Sequence, residues 1–275
     1  MRKKLKKTRN QIILCVLALI FVSFSFLDAY YIVFAEDNNH KEIGIWFVTD
    51  YNWGGWSDIP YADDEADAFY NTLYAGGATK SMRHGDNNAN ETHWEKSSVG
   101  GHDYNYVETI DIAWFTGHGE YYRFIVNTDT DGDDTYIRIV RSSETAWGDD
   151  DLEWVFLHAC YCLCKDYMSN WNNTFHKIHG ICGFHTIAGA FYGGDTGEAV
   201  AEYLLEPGYS VGEAWEQGTK DSQTSTKQAA IYTAVIRPEG EEELNYYDEP
   251  FGVDWGDYGE GYIVLVRKQY KKWGC

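Results

Sequence analysis

The sequence predicts an α/β fold built on a mostly parallel sheet, and three observations carry that prediction. Two short apolar runs, Ile110–Phe115 and Leu152–Leu157, stop abruptly at polar or reactive residues. Both are the length of buried strands and too short for helices. Such runs alternate along the chain with helix-like stretches, which is the rhythm of βαβ units.

In chain order, Glu42–Thr49 (EIGIWFVT) is the first strand expected, and Gly54-Gly55 breaks the pattern soon after it. Asp63–Ala75 reads as a helix. Asp63, Asp64 and Glu65 suit its first turn, Ala66, Phe69 and Leu73 share a face, and Gly76-Gly77 stops it. Thr79–Arg83 is a short strand. Asn87–Gly101 is polar and glycine-bearing, so it reads as a surface loop. Glu120–Val126 and Thr135–Val140 alternate apolar and polar residues as a hairpin does. After the second apolar run, Asp166–His176 has helical character and Gly180–Thr186 (GICGFHT) is a strand. Asp195–Leu205 is a helix with an acidic start and a Pro207-Gly208 stop. Ser210–Lys220 is another, with Ser210 and Glu213 spaced as a capping box. Gln228–Ile236 and Gly261–Val266 close the list of strands.

The chemistry gathers where the two apolar runs end. One runs into Thr116-Gly117-His118-Gly119, the other into His158-Ala159-Cys160. Open α/β sheets present their functional groups outside the carboxyl ends of the strands. A cysteine attacks as its thiolate, and an imidazole beside it takes the proton. Gly119 leaves backbone N–H groups unobstructed, so the amides of Gly119 and Cys160 are candidates for holding a developing oxyanion.

The His-Gly block followed by the Ala-Cys block, both at strand ends, resembles the caspase–legumain–gingipain–clostripain group, the clan CD cysteine peptidases. The wider run, with GHG, LEWVFLHAC and GICGFHTIAG, is similar to a group of archaeal and bacterial proteins of that fold. The resemblance implies a caspase-like three-layer αβα sandwich and hydrolysis of peptide bonds in peptide or protein substrates. It implies no cofactor for the chemistry. By motif it carries His118 over as general base and acid, Cys160 as nucleophile and Gly119 as an oxyanion contributor. The sequence departs from the group at His158, before Ala-Cys, and at Cys162 and Cys164, which crowd the nucleophile.

Two acidic clusters invite roles of their own. Asp149, Asp150, Asp151 and Glu153 precede or begin the nucleophile strand, where a carboxylate would receive a Lys or Arg side chain of the substrate. Asn127, Asp129, Asp131 and Asp133 place oxygen ligands at every second residue, with Gly132 at the turn, as a calcium loop begins. The last ligand position of such a loop falls on Arg138, so an ordinary acidic turn is the competing reading.

Residues 1–35 have the layout of a secretory signal peptide or a membrane anchor. Six basic residues precede a nearly apolar run through 11–27, and small or β-branched residues lie before Glu36. Residues 36–275 are then the α/β domain, and the protein is expected outside the cell or on its surface. Loss of the leader takes the formal net charge from −21 to −26, since six basic residues and Asp28 leave with it. Such a charge excludes nucleic acid as a partner, because phosphates are repelled. Cys160, Cys162, Cys164, Cys182 and Cys275 remain, an odd number, which points to a free Cys160 and two disulfides. A metal site on His158, Cys160, Cys162 and Cys164, and a non-catalytic binding module of the same fold, are the alternative readings.

Overall fold

The computed structural model describes residues 41–130, 138–189, 194–251 and 263–275. The leader expected at 1–35 lies outside the described residues. The elements are, in order, β1 (Glu42–Phe47), α1 (Ala62–Ala75), β2 (Thr79–Gly85), β3 (Ile112–Thr116), β4 (Gly119–Glu120), β5 (Arg123–Ile125) and β6 (Ile139–Arg141). There follow β7 (Trp154–His158), β8 (Gly180–Phe184), α2 (Asp195–Leu205), α3 (Val211–Ser222), β9 (Gln228–Arg237), β10 (Leu244–Asn245) and β11 (Val264–Gly274).

The main sheet runs β10-β9-β8-β7-β3-β1-β2, with β11 on the other side of β9. β2, β1, β3, β7 and β8 are parallel to one another, and β9 turns antiparallel against β8. The mostly parallel α/β sheet read from the sequence is therefore present. Strands buried on both faces need no alternation, and β3, β7 and β8 are buried at every position.

Successive residues of β3 show what covers each face. Trp114 stacks on Phe69 of α1 at 4.4 Å, and Trp215 of α3 packs on Phe156 and Phe184 of the same face. The neighbouring Phe115 turns to the opposite face and meets Phe124 and Trp94. The three α-helices thus lie on one side, with α2 packed between α1 and α3. Among the described residues the other outer layer is made of short 3-10 turns and the small β4-β5-β6 sheet.

That layer accounts for two departures from the sequence reading. Asn87–Gly101 is a chain of 3-10 turns and not a surface loop: Glu91, Thr92, His93, Trp94 and Glu95 are all buried. Trp94 decides this, because it sits fully buried among Trp46, Phe124 and Trp147. Lys165–Asn173 is 3-10 rather than α-helical and buries Trp171, whose indole donates to the Cys162 carbonyl. The α3 cap forms as its spacing predicts, with Ser210 and Glu213 satisfying each other's backbone amides.

Candidate active site

β3 and β7 pair so that Thr116 lies opposite His158, the last residue of each strand. His118 and Cys160 each follow two residues later, so parallel register puts both at the same end of the sheet. The Gly117 amide donates to the His158 carbonyl at 3.4 Å and ties the two strand ends together. His118 and Cys160 both line one cavity of about 230 Å³.

His118 is held from several directions. Its Nε2 lies 2.7 Å from the backbone oxygen of Ser57. A carbonyl only accepts, so Nε2 carries the hydrogen and Nδ1 of the neutral ring is the acceptor. Its backbone amide donates to the Tyr51 hydroxyl at 2.8 Å, and that hydroxyl donates to the Ile125 carbonyl at 2.9 Å. Tyr51 and Trp56 pack on the imidazole at centroid distances of 4.8 and 5.0 Å. These residues come from the segment after β1. Gly54 and Gly55, both with positive φ, turn it there, and Asp58 anchors it by accepting from the Tyr51 amide.

Cys160 is half-buried, with its thiol 3.8 Å from the Ala188 carbonyl. The next residue, Tyr161, has φ of 57°, a conformation that costs a non-glycine residue energy and recurs at functional sites. Its amide donates to the Thr186 carbonyl, which fastens the turn to the end of β8. Burial raises the Cys160 thiol above its ordinary value. Burial also lowers His118, against the opposing effect of the Ser57 carbonyl. Both shifts favour the neutral thiol and neutral imidazole over a resting ion pair.

Gly119 is required by space. A Cβ there would meet the Cys160 carbonyl oxygen at 2.5 Å and the Cys162 sulfur at 2.7 Å. Gly119 is the partner of Phe124, and the bond between them runs from the Ile125 amide to the His118 carbonyl. In that antiparallel pattern the amide of Gly119 faces away from β5.

His158, read as a departure from the peptidase pattern, is fully buried on the helix face. Its Nε2 donates to the Gly189 carbonyl at 2.9 Å, and its Nδ1 lies 4.0 Å from Glu65 of α1. The Glu65 carboxylate accepts from the amides of Thr196 and Gly197 at the start of α2. Gln223 accepts from the Gly189 amide and donates to its carbonyl, so Gly189 is clamped on both sides. In the sequence Glu65 reads only as a first-turn acid of its helix, and Gln223 carries no signal. Ser57 and Tyr51 were missed as well, because contacts through a backbone carbonyl and a lone hydroxyl leave no spacing to read.

The acidic cluster before β7 sits elsewhere. Glu153 is buried in an ion pair with Lys41 at 2.5 Å, at the amino end of β7. Asp149 pairs with His176 at 2.9 Å, and the amides of Asp149 and Asp150 donate to Glu108. The Asp151 amide donates to the Glu108 carbonyl, so it too stays at that end. Five residues of strand, on the order of 15 Å, separate these carboxylates from Cys160. The structure therefore does not bring Asp149, Asp150, Asp151 and Glu153 together with His118 and Cys160.

Of the expected calcium ligands, Asp131 and Asp133 lie outside the described residues. Asn127 is buried, and its amide donates to the Asp50 carbonyl. Among the described residues no group of three or more His, Cys, Asp or Glu is arranged to hold a metal ion. The expected disulfides do not form: Cys160, Cys162, Cys164, Cys182 and Cys275 are all free. The Cys162 thiol donates to the Arg123 carbonyl at 3.3 Å and Cys182 is enclosed in β8, which also leaves no cluster with His158.

The chain belongs to the family described as "Domain of unknown function (DUF6345)", whose profile matches residues 45–258. None of the curated proteins is similar to it in sequence. Among solved structures it is similar to the Arg-specific cysteine proteinase gingipain R, with 11% identity over 86% of this chain and a TM-score of 0.47. It spans 61% of that chain's length. A secreted C11 cysteine protease from Bacteroides thetaiotaomicron matches at 9% identity and a TM-score of 0.41, over 70% of this chain and 66% of that one. Caspase-1 from Spodoptera frugiperda matches at 13% identity and a TM-score of 0.34, over 60% and 71%.

Proposed function

We propose that the protein is a cysteine peptidase working through His118 and Cys160. The observation that supports this reading is the Thr116–His158 register, with His118 and Cys160 on the wall of one cavity and the imidazole Nε2 already committed to Ser57. Nδ1 of His118 takes the thiol proton as the sulfur attacks the peptide carbonyl carbon. The amides of Gly119 and Cys160 receive the oxyanion. The C–N bond breaks, Nδ1–H protonates the leaving amine, and the acyl group remains on sulfur as a thioester. Water then attacks, giving its proton to Nδ1, and the thiol reforms with release of the carboxylic acid. Every proton in this cycle stays on side chains, substrate or water, so it calls for no cofactor. In this reading residues 1–35 direct the domain out of the cell.

The test is labelling and cleavage by the full chain, Cys160→Ala and His118→Ala. Selective alkylation of Cys160 that falls at least about 100-fold in His118→Ala supports the dyad. Peptide cleavage should vanish in Cys160→Ala, and equal cleavage by that variant and the parent would refute the reading. The burial that raises the thiol favours the second reading, a binding module that does not react. Alkylation indifferent to His118 would select it.

A further inference from the structure

We infer that the cavity beside Cys160 receives an uncharged, apolar side chain of the substrate, of the size of Leu, Met or Phe, next to the bond to be cleaved. This rests on the peptidase reading and names the substrate class for its site. Around His118 and Cys160 the wall is formed by Ile59, Ile187 and Ala188, together with Gly117 and Thr116 at the end of β3. Thr116 already accepts a hydrogen bond from the Trp114 indole at 2.6 Å. Among the described residues no carboxylate or ammonium lines the cavity, and the ionisable groups on its wall are His118, Cys160 and the buried His158.

Volume sets the size of the guest. An apolar cavity of about 150 Å³ holds a benzene ring. The present cavity, about 230 Å³, therefore has room for a branched aliphatic or aromatic side chain. A Lys or Asp side chain would lose its hydration there and find no opposite charge among the described residues of the wall.

The nearest buried carboxylate does not change this. Glu65 lies behind the His158 imidazole and off the cavity wall, and one of its oxygens is spent on the amides of Thr196 and Gly197. His158 cannot swing aside without breaking its bond to Gly189, a residue that Gln223 also holds at both its amide and its carbonyl. The imidazole thus closes the cavity against Glu65, and the same clamp steadies the segment that carries Ile187 and Ala188.

The experiment uses the full-length Cys160→Ala protein, so that affinity is read without turnover. Peptides identical except at the residue before the scissile bond, carrying Leu, Lys or Asp, are titrated by calorimetry. Leu is expected to bind about 10- to 100-fold more tightly than Lys or Asp. Ile187 is 45% exposed, so Ile187→Asp in the same background tolerates the charge and should bring Lys to equal or better binding than Leu. Equal or tighter binding of Lys or Asp to the Cys160→Ala protein, or no binding of any peptide, overturns the inference. Alkylation of Cys160 in the otherwise unaltered chain and in His118→Ala is measured beside it. Loss of that His118 dependence tells against the dyad alone, and the affinities still decide the cavity.

Discussion

Nε2 of His118 donates to the backbone oxygen of Ser57 at 2.7 Å, and this one bond assigns the roles of both ring nitrogens. It orients the imidazole through a backbone oxygen, and among the described residues no carboxylate pairs with the ring to hold it protonated. His118 is accordingly lowered by burial and Cys160 raised by it.

The first prediction concerns reactivity against pH. Burial raises the Cys160 thiol above its ordinary value, so the neutral form prevails at pH 7. The alkylation rate of Cys160 in the free protein should therefore climb continuously from pH 6 to pH 9. A rate already level by pH 6 would reveal a thiolate–imidazolium pair in the resting state.

Tyr51 links the His118 amide to the Ile125 carbonyl, and its hydroxyl is buried. Tyr51→Phe leaves both backbone groups without that partner, so unfolding in denaturant should lose about 1–3 kcal/mol. The alkylation rate of Cys160 should fall in the same variant. Unchanged stability with unchanged labelling would remove Tyr51 from the positioning of His118.

Glu108 predicts how stability follows acidity. Burial raises its carboxyl to about 8 from the ordinary 4.5, against the opposing bonds from the amides of Asp150, Gly148 and Asp149. The folded state therefore holds a proton that the unfolded state releases. This contribution is complete below about pH 4.5 and is lost as pH rises through 8. Burial likewise raises Asp151 to about 7. The melting temperature should fall between pH 5 and pH 9, and Glu108→Gln should flatten that decline. A melting temperature rising across the interval would contradict the burial argument.

Trp94 tests the 3-10 layer. Trp94→Ala should cost about 3–5 kcal/mol, since the indole is fully buried between the sheet and Trp147. A loss below about 1 kcal/mol, read from a denaturant midpoint, would return Asn87–Gly101 to the status of a surface loop.

The sequence by itself determined the α/β class, the positions of the three α-helices and of β1, β2, β3, β7, β8 and β9, and the two strand ends where a histidine and a cysteine stand; the last strand, expected at Gly261–Val266, runs Val264–Gly274 instead. Those features are local: apolar run length, caps such as Ser210 with Glu213, and stops such as Gly76-Gly77 are written in neighbouring residues. Tertiary structure alone decided the rest. The 3-10 layer depends on Trp94 and Trp171 finding a core formed by distant strands. The acidic residues before β7 are a few positions from Cys160 in the chain, yet a strand converts that short interval into the length of the sheet. Ser57 reaches His118 through a backbone oxygen, Glu65 stands behind His158 from α1, and Gln223 holds Gly189 from just past the end of α3. Contacts of that kind depend on how elements pack in space, and sequence spacing carries no trace of them.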